Sequence, residues 1–427
     1  MFGRDEPLPR RKVLGRALQI AMLFARHSWA LSRTSARYRV LPVLASDLGP
    51  PFVKIGQLIA ASPGSFPVKL VEALRGLHDD VRPQPFSATE RVMSETWGSQ
   101  WSELIELSDT PLAAGSVAQV HSGTLADGTS VAVKVQRGHI TENIEADIRL
   151  LRRLARVLVR LRPSLEPLKL VETIDDFAVG FEQELDFVAE VTSMERLRPV
   201  LARWGISVPQ VHSEMCRPQV IVMELVDVVP IRDRDQILAL GVEPEDLLVS
   251  VLGALLESAF VEGRFHADGH GGNVLVGKDR NLVMLDFGIV GDVLPDDRAA
   301  CAGMLAGVFQ QDFQRFAEGL LRMQAFGHTD DAAAAAVAKV VAEHLGSGDF
   351  SQVKMGPLLR DMLDMASTHE LPFPTSLILL LKQLLYFDGL ASVLAPNFDL
   401  FQDARQFVPM LEEVAVEHSR SEGRLSE

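Results

Sequence analysis

The sequence predicts an α+β fold in which a small β-rich lobe is followed by a larger helical lobe, with further helices before both. Helical periodicity runs from Ile140 to about Val200 and resumes beyond Pro230. The turn Ala126-Asp127-Gly128 lies between two runs rich in β-branched residues and favours a hairpin. The strand candidates are Val117–Ser122, Ser130–Gln136, Val220–Val226, Val274–Val276 and Leu282–Leu285.

The pattern of the residues before the β-rich lobe, from Leu41 to about Trp101, is also helical. Proline-containing breaks interrupt them at Pro50-Pro51, Pro63-Gly64 and Pro83–Pro85. We therefore divide the chain into four parts: a basic amphipathic segment (1–40), a helical extension (41–107), a β-rich lobe (108–228) and a helical lobe (229–427).

Composition excludes several classes of protein. The 427 residues are 47% hydrophobic and carry a formal charge of −15, so global electrostatics give no support to nucleic-acid binding. The two cysteines, Cys216 and Cys301, make no disulfide framework and are typical of a reducing cytoplasm. The closest candidates for a spanning helix are Ala17–Ala25 and Leu377–Phe387, which has Lys382 inside it, and both are too short. No signal peptide is indicated. We expect a cytoplasmic protein.

The first forty residues differ from the rest in charge. Nine basic residues face only two acidic ones, with apolar residues between them. This pattern is typical of an amphipathic helix that rests on an anionic membrane, so we expect peripheral contact with the inner membrane surface. The alternative is a helix packed on the protein itself with its arginines in water. The basic residues are Arg4, Arg10, Arg11, Lys12, Arg16, Arg26, Arg33, Arg37 and Arg39.

The strongest chemical signal is the run His266–Asn273, followed by Asp286-Phe287-Gly288. Protein kinases carry His-x-Asp, an Asn five residues after that Asp, and then Asp-Phe-Gly. In this pattern Asp268 orients or deprotonates the acceptor hydroxyl. Asn273 and Asp286 supply oxygen ligands for Mg²⁺ on the phosphates.

Upstream, Val131-Ala132-Val133-Lys134 matches the strand that presents a phosphate-binding lysine. The preceding loop keeps one glycine where a kinase loop has three, but its main-chain N–H groups can still hold phosphate. We also predict that Glu224 and Val226 contact the nucleotide. The predicted loop contacts are Ala113, Ala114, Gly115, Ser116, Val117 and Ala118.

Glu190 is the candidate partner for the Lys134 ammonium. Asp186 lies four residues earlier, so the two carboxylates would share a helix face and would require a nearby cation. Lys54 is that candidate cation, and Gln57 points to the same side of its helix.

Together these residues resemble the UbiB family of atypical kinases, also called the AarF or ADCK family. The chain has a Lys-x-Gly-Gln helix at Lys54–Gln57, an Ala-rich loop at Ala113–Val120, the Glu-x-Asp motif Glu184-Leu185-Asp186, and His266-Ala267-Asp268. The resemblance covers Leu41 to Asn397. It implies a two-lobed protein-kinase-like fold with an N-terminal helical extension over the active-site cleft.

The resemblance also implies Mg-ATP binding, lipid-dependent ATPase activity, and a role in isoprenoid quinone or membrane lipid metabolism. Lys54 would meet Glu184 and Asp186, and Lys134 would pair with Glu190. One departure is clear. The family's catalytic loop reads Asp-Pro-His-Pro-Gly-Asn, whereas this chain has Gly269 and Gly271 in place of the prolines.

These features predict an ATPase or a small-molecule or lipid kinase that uses ATP and Mg²⁺. Phosphorylation of another protein is the least favoured kinase activity, because no Ala-Pro-Glu motif follows Gly288. Two alternatives remain: a catalytically weak, nucleotide-gated scaffold that binds lipid, and phosphotransfer to a small hydroxyl compound.

Overall fold

The computed structural model describes residues 9–32, 37–61, 68–74, 83–163, 169–310, 312–322, 375–398 and 405–414, with isolated positions between them. Two compact units divide the chain. The first comprises residues 1–189 and 210–225, and the second comprises residues 190–209 and 226–427. Predicted features at residues 1–8, 33–36, 62–67 and 75–82 lie outside the described residues, including the break at Pro63-Gly64.

Helices form much of the first unit. Arg16 joins three of them, because its guanidinium binds the carboxylate of Asp147 in the helix Ile140–Leu161 and also donates to the carbonyl of Leu48, the last residue of the helix Arg37–Leu48. The last carbonyls of a helix carry partial negative charge, so a cation is stabilised there. The helices are α1 (Arg10–Ser32), α2 (Arg37–Leu48), α3 (Pro50–Ala61), α4 (Val68–Leu74), α5 (Phe86–Trp97), α6 (Ile140–Leu161) and α7 (Leu170–Glu184).

A four-stranded antiparallel sheet completes the first unit, in the order β1-β2-β3-β5. Alternate residues Val131, Val133 and Val135 are buried and pack against α5, as the two-residue period of a strand requires. Between β2 and β3, Asp127 accepts the N–H of Thr129 and so fixes the turn. The strands are β1 (Ile105–Ala114), β2 (Ala118–Leu125), β3 (Ser130–Gln136) and β5 (Val220–Glu224).

The second unit combines two small sheets with helices. One sheet has the order β4-β9-β8-β6, and the other pairs β7 with β10. Its strands are β4 (Ile206–Ser207), β6 (Val228–Pro230), β7 (Arg264–His266), β8 (Val274–Gly277), β9 (Leu282–Met284) and β10 (Val290–Asp292). Its helices are α9 (Arg234–Ala239), α10 (Pro244–Phe260), α11 (Pro295–Gln310), α12 (Phe313–Arg322) and α13 (Thr375–Leu394), and α8 (Phe187–Arg203) begins in the first unit.

Helix α13 is long and apolar. By length and composition alone, Ser376–Leu394 could cross a membrane, so the run Leu377–Phe387 is the middle of a longer apolar helix. The core helix of a soluble protein meets the same criteria, and 44% of this stretch is buried in the protein. Its buried side chains include Leu380, Phe387 and Leu394.

Two expectations need correction. The sheet begins at Ile105, three residues before the predicted start of the β-rich lobe at residue 108. In addition, Glu184, Leu185 and Asp186 do not lie within one helix: α7 ends at Glu184, and α8 begins at Phe187. Asp186 accepts the N–H of Ala189 and acts as the N-cap of α8, a position that favours Asp.

Candidate active site

The loop between β7 and β8 carries the predicted catalytic residues of the second unit. His266 ends β7, and its buried ring is held by main-chain groups on both sides. Nε2 lies 2.8 Å from the carbonyl of Asp286 and 3.1 Å from that of Leu285, so it is the donor. Nδ1 accepts the N–H of Asp268 at 3.2 Å. Burial lowers the pKa of His266, consistent with a neutral ring that fixes Asp268 relative to Asp286.

A short hairpin brings the two predicted Mg²⁺ ligands to one end of a sheet. Asn273 precedes β8 and Asp286 follows β9, and Val274 pairs with Met284. The N–H of Leu285 donates to the carbonyl of Asn273 at 2.8 Å. The Asn273 amide nitrogen donates to the main-chain carbonyl of Asp268 at 3.0 Å, and its amide oxygen is the atom with the chemistry of a metal ligand.

The backbone of Asp286 is unusual. Its φ of 58° lies in the left-handed region, which is uncommon for a residue other than glycine. Such a conformation costs of order 1–3 kcal/mol and is concentrated at functional sites. One amide oxygen and one carboxylate suit Mg²⁺, which keeps several waters and binds phosphate oxygens as well. The donor set therefore fits that ion.

Helix α13 contributes two side chains to this loop that the sequence predictions did not include. Lys382 Nζ donates to Asp268 Oδ1 at 2.9 Å. Gln383 accepts the N–H of Gly269 at 2.7 Å and donates to the carbonyl of Ala267 at 2.6 Å. We call Lys382 and Gln383 the α13 clamp. A Lys-Gln pair inside a mostly apolar helix was a visible signal, but its partners lie more than 110 residues away.

The electrostatics of this contact favour a charged lysine. Burial alone would lower the pKa of Lys382, but the charge of Asp268 and hydrogen bonds to Asp268 and Tyr386 outweigh it and raise the pKa. The ammonium also lies 5.3 Å from the centre of the Tyr386 ring. His270 Nε2 lies 3.8 Å from Asp268 Oδ2, so basic groups approach both oxygens of this carboxylate.

The two glycines that replace the family's prolines have a structural explanation. A proline at position 269 has no N–H to donate to Gln383, and a Cβ there would lie 3.0 Å from the Gln383 amide oxygen. At position 271, a Cβ would require the exposed side chain of Arg232 to move. Gln383 therefore holds the main chain of this loop on both sides of Asp268, at Ala267 and at Gly269.

In the first unit, Lys134 lies on β3 opposite Val120 of β2 and Ile221 of β5. Its ammonium lies 5.2 Å from the centre of the Phe187 ring. Glu190 is buried in the first turn of α8 and belongs to the second unit. Pairing of Lys134 with Glu190 stays a prediction.

The predicted Ala-rich loop is a tight hairpin between strands. Ala113 and Ala114 end β1, and Ala118 begins β2, so the turn itself consists of Gly115, Ser116 and Val117. The buried Arg137 holds this turn: its Nε donates to the Gly115 carbonyl at 2.9 Å, and its N–H donates to the Val117 carbonyl at 2.8 Å. A turn held in this way can present main-chain N–H groups at a fixed place.

Lys54 on α3 forms an ion pair with Glu184 at the end of α7, and its ammonium lies 4.7 Å from the centre of the Phe181 ring. Gln57 follows on α3, but its side chain lies outside the described part of the structure. Glu224 ends β5, and its carboxylate accepts the N–H of Gln210 at 3.1 Å. Val226 is the first residue of the second unit after that strand.

A His-x-Asp loop followed by Asn and by Asp-Phe-Gly defines the protein-kinase-like class of phosphotransfer proteins. Residues 76–320 match the model of the ABC1 atypical kinase-like domain, and residues 338–399 match that of the UbiB helical domain. The chain belongs to the ABC1 atypical kinase-like family, which confirms the family and fold class expected from the motifs.

Similar proteins come from plants and bacteria. An aarF domain-containing protein kinase of Arabidopsis thaliana, described as chloroplastic, is 30% identical over 85% of this chain and 73% of its own length. An Aeromonas salmonicida protein named "Probable protein kinase UbiB" is 30% identical over 84% of this chain and 68% of its own length. A Mycobacterium tuberculosis structure, Rv3197 with erythromycin, aligns with a TM-score of 0.47 at 19% identity, over 92% of this chain and 100% of that one.

Proposed function

We propose that the protein binds Mg-ATP and turns it over, as an ATPase or as a kinase that acts on a lipid or small molecule. The observation that carries the proposal is the arrangement of Asp268, Asn273 and Asp286 around the neutral His266. Asn273 and Asp286 would hold Mg²⁺, which would supply positive charge to neutralise the phosphates, and Asp268 orients the acceptor hydroxyl or water.

Residues of the predicted β-rich lobe (108–228) are assigned to the nucleotide. Lys134 contacts the phosphates, with Glu190 as the partner that orients its ammonium. The main chain of Ala113–Ala118 holds phosphate oxygens, and Glu224 and Val226 contact the base. Two observations support the assignment: the central position of Lys134 in the sheet, and the two bonds from Arg137 that fix the turn.

The segment after Asp-Phe-Gly argues against phosphorylation of a protein partner. Val290–Asp292 pairs with β7 immediately after Gly288, and α11 begins at Pro295. Six residues therefore separate Gly288 from the next helix, which leaves little room for an activation segment to bind a peptide. A hydroxyl on a lipid or small molecule, or water itself, is the acceptor that we favour.

ATP turnover by the purified full-length protein tests this proposal. Phosphate release and transfer of labelled phosphate to lipid should be measured with and without Mg²⁺, against vesicles and quinone-precursor analogues. Asp286→Asn should abolish Mg²⁺-dependent turnover, whereas Asp292→Asn, which removes an exposed ion pair to Arg264, should not. Unchanged phosphate release by Asp286→Asn would contradict the assigned role of that carboxylate.

Two helices of the first unit support a lipid partner. On α1, the exposed side chains of Leu14, Leu18 and Met22 follow one another at four-residue spacing. The end of α6 exposes a second apolar stripe, beside a basic stripe. Such stripes suit an anionic membrane surface. The apolar members on α6 are Leu154, Val157, Leu158 and Leu161, and the basic ones are Arg153, Arg156 and Arg160.

We expect salt-sensitive binding to anionic vesicles that requires residues 1–40. Each basic residue near such a surface contributes about 1 kcal/mol, so Arg153→Gln/Arg156→Gln should weaken vesicle binding roughly 30-fold. Lys69→Gln, a single charge removed from the short helix α4, serves as a control. Equal vesicle binding by a protein that lacks residues 1–40 would contradict the role of the N-terminal segment. The link to isoprenoid quinone metabolism rests on the family resemblance.

One observation favours the alternative, a catalytically weak, nucleotide-gated scaffold that binds lipid. Lys382 and His270 lie at 2.9 Å and 3.8 Å from the two oxygens of Asp268, so this carboxylate is already engaged by the protein's own basic groups. Nucleotide binding without turnover under any lipid condition would favour the scaffold.

A further inference from the structure

The α13 clamp holds three successive residues of the catalytic loop. Gln383 bonds to the main chain of Ala267 and Gly269 through the two ends of one amide. Lys382, the neighbouring residue on α13, bonds to the side chain of Asp268 between them. Adjacent residues of one helix therefore fix both the backbone and the carboxylate of the predicted acceptor-binding residue.

Stability alone gives little reason for a lysine at this position. Lys382 and Asp388 are the charged residues of α13, and the neighbours of Lys382 in sequence are leucines and a glutamine. A partly exposed ion pair contributes about 0–1 kcal/mol, which a methionine of similar length could match by packing. What methionine could not do is hold Asp268 Oδ1 in one position.

The loop itself offers no lysine or arginine for this purpose, since residues 266–273 include two histidines and no other basic residue. His266 bonds to main-chain carbonyls, and His270 Nδ1 accepts the N–H of Gly272 at 2.9 Å. An ammonium from α13 supplies the charge that the loop lacks. Lys382 binds Oδ1, whereas His270 Nε2 lies 3.8 Å from Oδ2, beyond hydrogen-bond distance. Oδ2 is therefore the oxygen that can accept a hydrogen bond from an acceptor O–H.

We propose that Lys382 is a positioning residue for phosphotransfer, which acts through Asp268, and that Gln383 fixes the loop on which Asp268 stands. The inference rests on the proposed function, because it assigns Asp268 to the acceptor. It predicts a defect in turnover rather than in nucleotide affinity, since the nucleotide contacts are assigned to other residues.

Steady-state ATP turnover by full-length variants tests the role of Lys382. Lys382→Met should lower kcat about 10- to 100-fold, the order expected when a reacting group is misplaced, while KM for ATP changes less than about twofold. Lys382→Arg should restore much of kcat because it keeps the charge. The matched control is Lys278→Met, which removes an ion pair to Asp227 whose side chains are 63% and 70% exposed.

A double-mutant cycle separates action through Asp268 from independent action. If Lys382 works only by positioning Asp268, then Lys382→Met should slow Asp268→Asn no further. Multiplicative losses in the double variant would overturn the proposal. A raised KM with normal kcat in Lys382→Met would also overturn it, since that result would assign the lysine to nucleotide binding.

Amide hydrogen exchange gives a readout that does not depend on turnover. Lys382→Met and Gln383→Met should accelerate exchange at residues 267–273 and leave α10 protected. If the wild type turns over no ATP but this exchange result holds, the proposed function fails and the clamp stands. Exchange at 267–273 equal to that of the wild type in both variants would overturn the clamp.

Discussion

Removal of Arg16 should destabilise the first unit more than removal of any neighbouring surface charge. Arg16 and Asp147 are only 8% and 1% exposed, and two bonds of 2.7 Å join the guanidinium to the carboxylate. Loss of one partner of a buried pair leaves the other charge uncompensated, which costs about 3–5 kcal/mol. For a unit of about 200 residues, the expected fall in Tm for Arg16→Met is roughly 6–20 °C.

Lys12→Met is the matched control. Lys12 pairs with Glu142 across the same two helices, but these side chains are 48% and 42% exposed, so its loss should cost at most about 1 kcal/mol. Arg16→Met/Asp147→Leu should recover much of the lost stability, because no buried charge remains. Urea unfolding followed by circular dichroism measures all four proteins.

The penalty should also depend on pH. Burial raises the pKa of Asp147 even beside Arg16, and removal of the arginine raises it further. A raised carboxyl pKa means that the folded state binds the proton more tightly than the unfolded state, so the variant regains stability as pH falls. The free energy of unfolding of Arg16→Met should therefore be closer to that of the wild type at pH 5 than at pH 8. If Arg16→Met lowers the free energy of unfolding no more than Lys12→Met does at either pH, the Arg16–Asp147 pair does not anchor α1.

Three further outcomes follow from the described contacts. Gly269→Pro should lower ATP turnover more than Gly269→Ala, because only proline removes the N–H that binds Gln383. Burial lowers the pKa of His121, so the unfolded state takes up a proton at higher pH than the folded state does, and the free energy of unfolding should fall as pH drops below about 6.5. His121→Gln should reduce this dependence of stability on pH, as measured by urea unfolding at several pH values. Burial and the charge of Asp297 raise the pKa of Cys301 to about 12, so iodoacetamide should label it at pH 8 only after unfolding.

The fold class could be predicted because strong local patterns agree with the structure. Ser130–Gln136 is a strand with the predicted bounds, and Pro50 begins a helix after a break. The early start of β1 was missed because Ile105–Ala114 includes Ser108, Asp109 and Pro111, which are poor strand residues, and its register is irregular there.

The catalytic motifs could be predicted because their ligands lie close together along the chain. Asp268, Asn273 and Asp286 fall within 19 residues, and the hairpin between them is local. The α13 clamp could not be predicted, because its two partners are 114 residues apart and neither the helix nor the catalytic loop has a local sequence pattern that indicates the contact. The break at Leu185-Asp186 was missed because both residues also fit a continuous helix.

The bonds from α13 change what counts as the catalytic part of this protein. The kinase-like match ends at residue 320, and the helical match that contains Lys382 and Gln383 begins at residue 338. A protein shortened after residue 322 would retain every recognisable kinase motif, yet Ala267, Asp268 and Gly269 would lose the side chains that hold them. Inactivity of such a fragment would reflect a missing support for its loop, so assays of this protein require the chain through α13.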